Sequence, residues 1–368
     1  MSKPKLQTGL PADAGMASEA LERAAAILES EIQDRRITAA AILVARNNTV
    51  VLSTGYGRLL PDQDSPPVKP DTVFLLASIT KPVTACALML LVERGQVCLD
   101  DPVSMYLPDF RGGERCNVRV GHLLSHTSGL PDMLPQNTAL RRAHVPLSEF
   151  VRGAQQTPLL YSPGAGFGYQ STGILLAAEI VERVTGKRLR DFEKEEIFDP
   201  LGMENSALGL GNFDILDMAW CGTSTSESED LRRFGPNSPY WRDMGHPWGG
   251  MHSTAPDLAI LLQTMLNGGE YTGKRIFSPA GVAAMTTDRN GSLNAPWGLG
   301  WALAASPVWN YFGDLVSPGT FGHVGATGTV AWADPGRRLL CVILTNQMVE
   351  NGRLLKRVSN AVSAAVVR

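Results

Sequence analysis

Cysteine is scarce in this chain: its 368 residues hold five, Cys86, Cys98, Cys116, Cys221 and Cys341, and no two are spaced C-x-x-C. An odd count without paired spacing excludes a disulfide framework or a zinc-thiolate cluster as the organising element. Cys86 and Cys341 fall in apolar runs, which suits buried free thiols. No apolar run approaches the roughly 20 residues that a membrane-spanning helix needs. Met1 to Pro11 also lacks the apolar stretch of a secretory signal, so a cytoplasmic chain without membrane contact is expected. Charge of either sign is nearly balanced, with 33 basic and 36 acidic residues and a formal charge of -3. That balance leaves no basic footprint for nucleic acid. Fixed-period repeats and low-complexity tracts are missing, which excludes solenoids. The G-x-S-x-G elbow of α/β-hydrolases is also absent. His122 and His126 are four apart without the glutamate of an H-E-x-x-H pair, so a role in a turn is expected of them, and neither metal nor cofactor.

What remains is a globular composition, 44% hydrophobic and 19% charged. The length exceeds what one small core organises, so two lobes sharing a cleft are expected. Residues 17–35 carry apolar positions at helical spacing (Leu21, Ala24, Ala25, Leu28, Ile32) and predict an amphipathic helix. Two strand-like runs, 39–46 and 49–54, flank Asn47-Asn48, a hairpin signal. Near the other end, strands at 330–333 and 339–345 are joined by Asp334-Pro335-Gly336, and a helix follows at 353–367. Residues 82–245 show helical pattern and loops with little strand signal. The expected architecture is α+β, an antiparallel sheet flanked by the N- and C-terminal helices (residues 1–81 and 246–368) with an inserted, mostly helical lobe (82–245). Ser253-Thr254 before Pro256-Asp257 marks a further helix start.

Chemistry is declared most plainly by Ser78-Ile79-Thr80-Lys81 at the mouth of an apolar helix running from Val83 to Glu93. Residues three apart share a helix face, so the Ser78 hydroxyl and the Lys81 amine come within hydrogen-bond reach. Pro82 belongs in a first turn, which places the helix start near Ser78 and the serine at the positive end of the helix dipole. A second segment, Tyr161 to Ser171, is a glycine-rich loop entering a helix at 172–184. Tyr169 on such a loop can turn its hydroxyl toward a cleft, where a lysine's charge would lower its pKa and let it relay a proton. A third, Phe321 to Thr329, places glycines where a ligand can approach the backbone closely. Taken singly, each has a plainer explanation: a capping serine, a packed tyrosine, an edge strand.

In this order the three segments resemble the serine β-lactamase and penicillin-binding-protein superfamily, on the branch of class C β-lactamases, D-alanyl-D-alanine carboxypeptidases and family VIII carboxylesterases. The matching motifs are S-x-x-K at Ser78 and Lys81, a Y-x-N-like triplet at Tyr169 to Ser171, and a K-T-G-like triplet at His323 to Gly325. Segments 90–110, 120–130, 197–206, 249–259 and 297–301 look like family segments too, so the resemblance covers nearly the whole chain. It implies an acyl-enzyme on Ser78, proton handling by Lys81 and Tyr169, and an oxyanion hole formed by the backbone N–H groups of Ser78 and Ala326. Ser171, His323, Gly325 and Trp248 are expected to bind substrate, a small-molecule ester or amide.

Two departures from the family pattern select among substrates. Ser171 stands where asparagine is usual, and His323 where the lactam-processing members have lysine. An unperturbed histidine is mostly neutral at neutral pH and anchors a carboxylate poorly. A carboxylesterase is therefore expected, with a β-lactamase or D-alanyl-D-alanine carboxypeptidase, an acyltransferase and an inactive scaffold as the alternatives. Trp220, Tyr240, Trp241 and Trp248 cluster around the polar stretch 222–247 and serve either as packing or as a pocket for apolar acyl groups. The oligomeric state is left open by the sequence.

Overall fold

Seven strands form one sheet in the computed structural model, which describes residues 5–62 and 64–368. Their spatial order is Gln7–Thr8, Thr49–Gly57, Ala39–Arg46, Leu339–Thr345, Thr329–Asp334, Phe321–Gly325 and Ala302–Leu303. The first pair is parallel and the others are antiparallel, so the N-terminal and C-terminal hairpins meet at the centre of one sheet. The Asn47-Asn48 turn forms as its sequence predicts, both residues taking the left-handed φ (52° and 64°) that a tight two-residue hairpin requires.

The central strands are buried on both faces, and the alternation of their side chains shows why. Leu340, Val342 and Leu344 point into one core while Leu339, Cys341 and Ile343 point into another. The second core is closed by the helix Ser18–Gln33 packed on the last helix, Arg353–Ala364. The first is closed by Ala255–Leu266, which Thr254 caps by accepting from the Asp257 N–H, and by Thr80–Glu93 with Ser171–Thr185.

A small sheet that the sequence reading missed positions the nucleophile segment. Phe74–Leu75 pairs with Met251–Ser253, which also pairs with Ala207–Leu208. The helix predicted to begin near Ser78 does so through one 3₁₀ turn, Ala77–Ile79, before α-helical geometry starts at Thr80. His122 and His126 do not share a helix face: the short helix Val120–Leu124 ends between them, and His126 is left-handed at φ 61°.

Candidate active site

The Leu76 N–H donates to the Met251 carbonyl, continuing the small sheet, and the Thr80 hydroxyl donates to the Ala77 carbonyl while accepting from the Met251 N–H. Between these ties Ala77 is held at φ 49°, a left-handed conformation that costs a residue with a Cβ about 1–2 kcal/mol. The constraint sets Ser78 in the opening turn of the helix, where backbone N–H groups lack intrahelical acceptors. Across from it, Thr327 and Thr329 each donate a 2.8 Å hydrogen bond to the carbonyls of Leu75 and Leu76. These two hydroxyls bind the turn after Phe321–Gly325 to the nucleophile segment. The Ala326 N–H, inside that turn, meets no acceptor among the described residues.

Lys81 is 1% exposed, and its Nζ donates to Ser78 Oγ at 2.9 Å and to the Trp248 carbonyl at 2.9 Å. It also lies 4.7 Å from the centre of the Tyr169 ring. Burial draws the lysine pKa down to about 7, against a smaller upward pull from Asp132. An amine in that condition is substantially neutral at neutral pH.

Tyr169 stacks on Trp309 at 4.5 Å and 18°, with Trp297 and His126 against its other edges. Its hydroxyl is out of solvent contact, forms no full hydrogen bond, and faces Ser78. Burial raises its pKa, a larger effect than the lowering contributed by Ser78. The depressed phenol expected from the sequence is thereby corrected: dehydration is the largest effect on the hydroxyl, and Tyr169 holds its proton.

The remaining expected residues divide. Gly325, Ala326 and Trp248 line the cleft with Ser78 and Tyr169, and the cleft encloses about 680 Å³. Ser171 lines it too, but its hydroxyl is engaged, donating to Asp132 Oδ1 at 2.7 Å while its N–H donates to the same oxygen at 2.9 Å. His323 lies behind the cleft wall. Its Nδ1 is 2.8 Å from the Val324 carbonyl, its Nε2 is buried without a partner, and burial takes its pKa to about 3. A substrate-binding role for that ring is corrected accordingly: it is buried against Ile79, Pro82 and Trp301, while Val324 and Gly325 line the cleft.

Of the aromatic cluster, Trp241 and Trp248 line the cleft. Tyr240 instead stacks on His144 at 4.4 Å and donates to the Val145 carbonyl, and Trp220 donates to the Ser224 carbonyl. The segment carrying them is fixed by Arg242, fully buried and donating to the carbonyls of Pro236 and Ala219 and to Asn237 Oδ1. Sequence reasoning missed Asp132 and Arg141 in the cleft, since neither falls in a recognisable triplet.

Comparison with known proteins extends this geometry. A protein of Escherichia coli strain K12, provisionally named a D-alanyl-D-alanine carboxypeptidase, is 30% identical over 94% of this chain and 86% of its own. The crystal structure of a penicillin-binding-protein homologue from Caulobacter crescentus superposes with a TM-score of 0.78 at 26% identity, covering 95% of this chain and 99% of that one. That of a family VIII carboxylesterase gives 0.74 at 22% identity over 95% and 99%. The profile of the Beta-lactamase family matches residues 24–365, nearly the whole chain, and the protein therefore belongs to that family, as a serine hydrolase of the β-lactamase and penicillin-binding-protein fold.

Proposed function

We infer that the protein is a carboxylesterase working through a covalent acyl-enzyme on Ser78. The observation that carries this reading is the 2.9 Å contact between Ser78 Oγ and a buried Lys81 whose pKa lies near 7. Lys81 takes the hydroxyl proton as Ser78 Oγ bonds to the ester carbonyl carbon. The carbonyl oxygen gathers negative charge against the N–H groups of Ser78 and Ala326. Collapse breaks the bond to the alcohol, which leaves with a proton relayed through the neutral Tyr169 hydroxyl. Water then attacks the acyl-enzyme by the reverse proton path, releasing the acid and restoring Ser78. The preference for esters rests on the wall beside Ala326, where His323 is buried and neutral and, among the described residues, no cation stands to hold a lactam carboxylate.

The Escherichia coli relative favours a second reading, cleavage of a peptide amide. Parallel kinetics with p-nitrophenyl esters and nitrocefin, and with a D-alanyl-D-alanine peptide, separate the two. The esterase reading requires kcat/KM for the ester to exceed that for either amide substrate by about a hundredfold or more. Faster turnover of nitrocefin or of the peptide sinks it.

A further inference from the structure

We propose that Arg141 determines specificity, by docking a second, anionic group of the ester substrate, a carboxylate at the end of a short apolar chain. The reaction itself rests on the esterase reading above, whereas the anion site stands on geometry of its own.

Arg141 belongs to the helix Asn137–Arg142 and lines the same cleft as Ser78. Its guanidinium lies 3.6 Å from the centre of the Trp241 ring, and Nη2 donates to the Phe234 carbonyl at 2.6 Å. The buried Nε has no partner. Its neighbour Arg142 is paired with Asp230 at 2.6 Å, but among the described residues no carboxylate pairs with Arg141. Burial works against its charge, yet a guanidinium stays protonated across the working pH range of proteins. A partly dehydrated cation without a counter-ion is costly inside a cleft wall. An anionic ligand removes that cost.

The rest of the cleft says what joins the anion to the ester. Asp132 is the one acid among the lining residues, and its Oδ1 accepts from both the Ser171 hydroxyl and the Ser171 N–H. From Lys81 the wall runs through the Trp248 carbonyl, then to the His246 ring 4.9 Å from Trp248, then to Trp241 4.1 Å from His246, and ends under Arg141. His246 is held neutral by its burial, so no charge interrupts the series. An aromatic floor that starts at the reactive amine and ends at an unpaired guanidinium fits a methylene chain tipped by a carboxylate. This is compatible with a neutral wall at His323, which lies on the strand side of the cleft and not along this floor.

Paired substrates that differ only in charge test the proposal. On the acyl side, mono-p-nitrophenyl esters of adipic, suberic and sebacic acid are compared with their methyl-capped neutral counterparts. On the alcohol side, the butyrate ester of an ω-hydroxyoctanoate is compared with that of its methyl ester. In at least one pair the anionic substrate should show kcat/KM about tenfold or more above the neutral one, carried mainly by KM and reduced by added salt. Arg141→Met should bring that ratio to about one, and Arg141→Lys should restore part of it. The pair that responds identifies the side of the ester that carries the anion. A ratio equal in wild type and Arg141→Met in every pair overturns the proposal, and so does a wild-type preference that salt leaves untouched. If no ester is turned over, the esterase reading fails and binding decides the anion site: calorimetry should show monomethyl suberate binding to wild type and not to Arg141→Met. Absence of binding to wild type, or equal binding to both, rejects the site.

Discussion

Dehydration of an amine gives the individual residues of this site their roles. Lys81 is surrounded by a carbonyl, a hydroxyl and a ring face, none of which repays the loss of water around an ammonium, and its pKa falls to about 7. The same burial moves Tyr169 the opposite way, because for a phenol the charged form is the deprotonated one. A substantially neutral amine and a protonated phenol therefore face the same serine oxygen at neutral pH. Tyr169→Phe removes an O–H that makes no full hydrogen bond and leaves the ring stacked on Trp309. Steady-state kinetics should show kcat lowered by about a hundredfold or more, beside a melting temperature within a degree or two of wild type. An unchanged kcat would remove the tyrosine from the proton path. Ser78, Lys81 and Tyr169 were legible in the sequence because spacing alone brings the first two together and the loop position suggests the third. Asp132 and Arg141 were not, since their presence in the cleft depends on how the 131–142 stretch is draped over it, which no local pattern encodes.

Among the elements, the decisive contact is between the end of the Phe321–Gly325 strand and the segment 74–80. Two threonine hydroxyls and the close approach of Gly325 bind the turn that carries Ala326 to the segment that carries Ser78. A Cβ on Gly325 would stand 2.1 Å from the Leu76 carbonyl oxygen and 2.3 Å from Thr329 Oγ1, so backbone must move to admit it. Gly325→Ala should lower kcat/KM by about a hundredfold, on the scale of losing an oxyanion donor, with a loss of stability of about 1–3 kcal/mol in denaturant melts. Wild-type kinetics in that variant would show that the approach has no catalytic consequence. The long helices and the two hairpins could be read from periodicity and turn residues. The three-stranded sheet of Phe74–Leu75, Ala207–Leu208 and Met251–Ser253 could not, because two or three residues display no period and their pairing is set by distant packing.

Across the whole molecule, chain ends distant in sequence close one sheet. Arg46 joins them further, donating to the carbonyls of Ala14, Gly15 and Arg368, while Glu31 takes Arg357 at 2.6 Å and Arg36 at 2.8 Å. The sheet in turn supplies, through Phe321–Gly325 and Thr329–Asp334, the wall against which the Ala77–Ile79 turn is set. The α+β class followed from the order of hydrophobic patterns along the chain, and the candidate nucleophile from the S-x-x-K spacing of Ser78 and Lys81. The cleft's charge distribution, neutral at His323 behind Val324 and Gly325 and cationic at its aromatic end, emerged only from three-dimensional packing.

The most direct measurement is the rate at which a fluorophosphonate labels the protein, followed by intact mass as a function of pH in wild type and Ser78→Ala. A single adduct should form on wild type and none on Ser78→Ala. The labelling rate should rise with pH through a midpoint near 7 as Lys81 loses its proton, and level off above it. A rate that does not change with pH around that midpoint, or an adduct that persists in Ser78→Ala, would contradict a serine activated by a buried neutral lysine.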